Sequence, residues 1–257
     1  MIGAFFWLAA AAAGAGAGGT SADLAAAEAQ LAALRAGLPA AIDAQDKVME
    51  RNAEDLALWK RRADDLVGLW LRYRDARCDP ALLSYERGGD STACRLRITR
   101  NILGDLQWRY GDPEGAGALP RASADASGAP PRPGRGADEE GPCAAPPPAE
   151  CDYCGMNRCW ERRLEADEAR LNAAWRAALA KIAARPGVDA AARTDWTERL
   201  RRVQRLWLRW REDACTLDGW ETPNPYAHSL YALVTGPCLD AETEARTAAL
   251  RRAYALR

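Results

Sequence analysis

Residues 69–78 read LWLRYRDARC, and residues 206–215 read LWLRWREDAC. Six of the ten positions are identical, and Tyr73/Trp210 and Asp75/Glu212 are conservative pairs. The offset of 137 carries upstream, pairing Trp59 with Trp196, Ile42 with Leu179 and Leu34 with Leu171. Beyond the decapeptides it changes to 144, pairing Cys94 with Cys238, Thr99 with Thr243, Leu106 with Leu250 and Tyr110 with Tyr254. A register held this far and resumed after one loop marks an internal duplication, with an insertion of 7 residues between the two cysteines of the second copy.

Both copies read as helical. In the second, Trp196, Leu200, Val203, Trp207, Trp210 and Ala214 recur at the three- and four-residue spacing of an amphipathic helix. An earlier stripe runs through Leu164, Leu171, Trp175, Leu179 and Ile182, and Arg185-Pro186-Gly187 then breaks the chain before Asp189, a capping residue. Residues 216–225 read as a loop, 226–234 as a short helix, Gly236-Pro237 as a turn and 239–257 as helix. The first copy predicts helices near 22–46, 48–78 and 93–110, with Gly88-Gly89 in its loop. No stretch alternates like a strand, so the fold class is all-α: two antiparallel modules of about three helices each.

The 257 residues divide accordingly. Residues 23–110 hold 14 basic and 14 acidic side chains; residues 151–257 hold 18 and 15. Between them, 111–150 is rich in Pro, Gly and Ala, with 3 basic and 7 acidic residues, and reads as a disordered linker. Residues 1–22 carry one apolar run, Ile2 to Ala17, followed by small residues. The segment predicts a secretory signal, although the first basic residue is Arg35. The run is under the ~20 residues a spanning helix needs, so no membrane span is expected after cleavage. Net charge is -1, which gives no field for steering toward nucleic acid.

Export agrees with an even count of 8 cysteines. Cys78 and Cys94 flank the loop of copy one, and Cys215 and Cys238 flank that of copy two, so each pair is expected to be a disulfide. Cys143, Cys151, Cys154 and Cys159 allow three pairings, of which Cys151–Cys159 with Cys143–Cys154 is favoured. The competing reading for these four is a zinc site, because Cys151-x2-Cys154 is half of a zinc knuckle. Two cysteines outside any second such half, in an oxidising compartment, weigh against it, and no metal or cofactor is expected.

The residues of copy two carry a resemblance. Met156-Asn157-Arg158-Cys159 is followed by Ala166-Asp167-Glu168-Ala169-Arg170-Leu171-Asn172, then Gln204, Trp207, Arg211 and Cys215, and finally Cys238, Thr243 and Arg246. This resembles the LprI-type, lysozyme-inhibitor-like domain, whose pattern runs M-N-x-C, A-D-x-x-L-N, A-Q-R-x-W, Y-R-D-x-x-C, then C with T-x-x-R. Copy one is similar only to the later part, through Trp70, Arg74, Cys78, Cys94 and Thr99. It has Ala22 at the M-N-x-C position and Ile102 where T-x-x-R has Arg. The resemblance implies a small, exported, disulfide-bonded helical domain whose motif residues are mostly structural.

His228 is the single histidine, which excludes multi-His metal sites, and it reads as a surface residue. Trp70 and Trp207 read as core. Arg74 and Arg211 read as intradomain ion pairs, with Asp75 and Glu212 as partners or solvated charges, and Asp167 and Asn172 as holding the first helix on the third. The linker charges Asp112, Glu114 and Asp138-Glu139-Glu140 make no site. The leading function is that of an exported envelope protein that blocks lysozyme or another muramidase, with the loops 79–93 and 216–237 as contact segments. Near-neutral charge argues against rapid capture of a cationic lysozyme. The alternative is a periplasmic structural or assembly adaptor with another protein partner. Scattered carboxylates give little support to an enzyme.

Overall fold

The computed structural model describes residues 20–49, 51–86, 89–111, 152–220 and 227–256. The linker and the N-terminal run fall outside them. The described residues form seven helices and no strand: α1 (Ser21–Met49), α2 (Ala53–Arg77), α3 (Pro80–Tyr85), α4 (Ser91–Tyr110), α5 (Asp152–Ala183), α6 (Ala190–Trp220) and α7 (Ala227–Tyr254).

Side-chain caps start most of them. Thr20 Oγ1 accepts from the Asp23 amide at 3.1 Å, while the Asp23 carboxylate accepts from the Thr20 amide at 2.8 Å, a reciprocal capping box for α1. Asn52, Asp79 and Asp90 cap α2, α3 and α4, and Asp189 caps α6 through the Ala192 amide at 2.8 Å. The α5–α6 turn falls at Arg185-Pro186-Gly187 as the sequence predicts, with Gly187 at φ 73°, a left-handed conformation that suits glycine.

Three elements differ from their sequence reading. The loop after Cys78 contains α3, a single capped turn opened by Pro80. Residues 216–220, expected as loop, continue α6. The turn expected at Gly236-Pro237 is absent, because α7 passes through both residues. Proline forfeits one backbone hydrogen bond there. Gly236 serves a tertiary purpose: a Cβ on it would lie 2.9 Å from the Trp160 ring, so glycine lets α5 approach α7.

In each half the first helix packs on the last (α1 on α4, α5 on α7), and the middle helix packs against both. The disulfides Cys78–Cys94 and Cys215–Cys238 join the middle helix of each half to its last, with Cα atoms 5.6 and 5.5 Å apart. The chain-entropy model assigns ~3 kcal/mol to loops of this size. Cys159 is also disulfide-bonded, which removes a thiolate from the four-cysteine zinc alternative. The side chains of Cys143, Cys151 and Cys154, and hence the pairing among them, lie outside the described residues.

The two halves share one hydrophobic core. Helices α2 and α6 pack on each other, with the Trp70 and Trp210 rings 4.9 Å apart at 44°. Short α3 also lies on α6, where Tyr85 stacks on Trp196 at 5.1 Å and Asp79 pairs with Arg199 at 2.5 Å.

Burial corrects one alignment. Leu31, Leu34, Leu38 and Ile42 are buried on α1, and Leu171, Ala174, Ala178 and Ile182 on α5. The helices correspond at an offset of 140, not 137, so Ile42 matches Ile182, while Leu179 is only partly buried. The ion pairs agree, since Arg74 reaches Glu28 and Arg211 reaches Glu168. A three-residue slip rotates an α-helix by about 300°, so an apolar stripe nearly superimposes on itself and the ungapped sequence match hides it. The offset of 144 between α4 and α7 stands: Thr99 and Thr243, Ile102 and Arg246, Leu106 and Leu250, Tyr110 and Tyr254 are all buried.

Candidate functional site

Arg74, Thr99, Gln204, Arg211, Thr243 and Arg246 meet at the joints between helices. Arg74 Nη1 donates to Thr99 Oγ1 at 3.0 Å and to Glu28 at 2.9 Å, which ties α2 to α4 and α1. Arg211 Nη1 donates to Thr243 Oγ1 at 2.8 Å and pairs with Glu168 at 2.8 Å, the same joint in the second half. Asp75 pairs with Arg74, while Glu212 is exposed. Trp207 is buried, and the guanidinium centres of Arg211 and Arg246 lie 5.1 and 5.8 Å from its ring.

The halves differ where one uses polar and the other apolar partners. Arg246 Nε donates to Gln204 Oε1 at 2.9 Å, and both residues are buried. Their counterparts are Ile102 and Val67, also buried. Burial lowers the Arg246 pKa from its ordinary value. A second polar cluster joins α5 to α7: Asp167, Asp240 and Glu244 bring their carboxylate oxygens within 4.8 Å of one another. Arg170 pairs with Asp167, and Arg163 with Asp240 at 2.7 Å. The first half has Ala27 and Leu96 where the second has Asp167 and Asp240. The arginines neutralise most of this charge; Asp167 and Asp240 are buried, while Arg170 and Glu244 are exposed, so the cluster is a salt-bridge network at the surface edge of the α5–α7 joint. Asn172 is exposed on α5 and lies outside it, whereas Leu171 is core. Met156, Asn157 and His228 lie on helices, and their side chains fall outside the described set.

The two cysteine-bounded loops have different positions. Residues 79–86 of the first are consumed by contact with the other half. Leu82 is fully buried, Tyr85 donates to Asp195 at 3.2 Å, and Glu86 accepts from the Tyr254 hydroxyl at 2.7 Å. In the second loop, α6 ends at Trp220 and α7 begins at Ala227, and the side chains of 218–234 lie outside the described residues.

A cavity of about 320 Å³ opens at the junction of the halves. Tyr85, Glu86, Trp196, Tyr254, Lys181 and Arg185 are among the residues that line it. Trp196 Nε1 donates to the Tyr254 hydroxyl at 3.2 Å, which in turn donates to Glu86, itself 2.7 Å from Arg77. Burial, with Glu86 adding to it, pushes the Tyr254 phenol far above its ordinary range. Sequence periodicity missed this site, because α3, the α5–α6 turn and α7 meet only when α2 packs on α6.

Among the described residues the architecture is disulfide-stapled and all-helical, with Arg74, Gln204, Arg211, Thr243 and Arg246 serving its joints. Residues 143–250 match the family model described as Lysozyme inhibitor LprI, so the C-terminal half is similar to that family over nearly all its length. No curated protein and no solved structure matches the chain.

Proposed function

We propose that this chain is an exported cell-envelope binding protein that blocks lysozyme or another muramidase. The match of residues 143–250 to Lysozyme inhibitor LprI carries this reading. Two disulfides support an oxidising compartment. Among the described residues no helix is long and apolar enough to cross a membrane.

The chain acts by binding rather than catalysis, since its carboxylate cluster is occupied by arginines. The second half makes the contact. In the loop of the first half, Asp79, Tyr85 and Glu86 are engaged by α6 and α7, which favours 216–237, stapled by Cys215–Cys238, as the segment for the partner's cleft. The first half acts as a brace for the second through α2 and α3.

The test is turbidimetric lysis of cell-wall suspensions by several lysozyme types, with the purified, oxidised chain added. Inhibition at micromolar excess is expected, and substitutions in 216–237 weaken it. Unimpeded lysis by every type refutes the reading.

A further inference from the structure

We propose that the cavity between α3, the α5–α6 turn and α7 is a binding site for a carboxylate carried on a ring-sized body. Its volume, about 320 Å³, lies at the lower end of the range typical of small-molecule sites and matches one saccharide or aromatic ring.

The charge of the lining selects the ligand's sign. Glu86 is the acid in the wall, and its oxygens are taken by Arg77 and by the Tyr254 hydroxyl, each at 2.7 Å. Lys181 and Arg185 also line the cavity, both exposed, and neither has an acidic partner among the described residues. The mouth therefore carries two cations open to a carboxylate, while of the acids that face Tyr85, Asp195 is already paired with Arg199 and Asp189 is the opposing charge. The remaining wall is apolar: the rings of Tyr85, Trp196 and Tyr254 with Ala184, Pro186 and Ala253.

The walls are set before binding. Trp196 stacks on Tyr85 and on Tyr254, with ring centroids 5.1 and 6.0 Å away. The turn that carries Arg185 is clamped by Arg193, which donates to Val188 O at 3.0 Å and to Ala183 O at 2.8 Å. Little ordering is left for the ligand to impose. The site draws on both halves of the chain and does not depend on the muramidase reading.

The experiment uses the full, oxidised chain and two matched pairs of probes. N-acetylmuramic acid and benzoate carry the carboxylate; N-acetylglucosamine and benzyl alcohol lack it. Titrations are followed by the indole N–H resonance of Trp196 and by calorimetry. The acids are expected to bind at millimolar concentration or below, with their neutral counterparts at least about tenfold weaker. The surface double variant Lys181→Ala/Arg185→Ala is expected to lose about tenfold for the acids alone, with its helical circular dichroism unchanged. Equal binding of acid and neutral probes overturns the proposal. So does acid binding that survives the double substitution, or no binding at millimolar concentration. Inhibition of lysis is measured separately, so its failure and the failure of this site remain distinct.

Discussion

The buried pair of Gln204 and Arg246 offers a direct test of how the two halves correspond. Its equivalents, Val67 and Ile102, show that the same joint also closes with aliphatic side chains. Gln204→Val alone leaves the Arg246 guanidinium buried without its 2.9 Å acceptor. A lost hydrogen bond to a charged group costs about 1.5–3 kcal/mol. Arg246→Ile alone strands the Gln204 amide oxygen at about 1–3 kcal/mol. It also withdraws a positive charge from Glu86, which keeps Arg77 and Tyr254. The double variant removes both polar groups and reproduces the pair found in the first half, so its stability stays within about 1 kcal/mol of the parent. The expected coupling is about 2–3 kcal/mol. Each single variant lowers Tm by roughly 4–8 °C, and the double restores it. Urea and thermal unfolding of the four oxidised proteins measure the cycle. Additive losses would refute the pairing and the offsets of 137 and 144 behind it.

Three further outcomes follow from the same contacts. Trp70→Ala opens the α2–α6 contact and is expected to cost about 3–5 kcal/mol in urea unfolding; a cost below 1 kcal/mol would show that Trp210 does not lean on it. Replacing both Cys215 and Cys238 by Ser is expected to cost about 3 kcal/mol, seen as a lower denaturation midpoint, and equal midpoints would deny the staple. The Tyr254 hydroxyl has its folded pKa raised above the unfolded value, so its contribution is complete below about pH 10 and is lost as pH rises beyond it. Tyr254→Phe should flatten the fall in stability above that pH, and an unchanged alkaline slope would contradict the burial of this phenol.

Much of the architecture was legible because it is local. Helix class follows from three- and four-residue spacing in stretches such as Trp196 to Ala214, and caps such as Asp189 sit at the starts. The disulfides followed from where repeated cysteines fall around repeated helices. The structural part of Arg74 and Arg211 was also readable, since a repeated arginine one turn from a repeated cysteine points inward to its own fold. Less legible were the details that a helix conceals. The three-residue slip between α1 and α5 is nearly invisible to a periodic pattern. Gly236-Pro237 looks like a turn until Trp160 is seen packed against the glycine.

The sequence by itself determined the helical class, the cysteine pairs at 78–94 and 215–238 and the likeness of the second half to LprI. These depend on residue type and spacing within one segment. Tertiary structure alone decided that α2 lies on α6, that the first loop is spent on the second half, and that Tyr85, Glu86 and Tyr254 meet Lys181 and Arg185 at one cavity. Those contacts join residues up to 168 positions apart. No local pattern encodes them, because they arise only when two amphipathic faces bury each other and choose one mutual orientation.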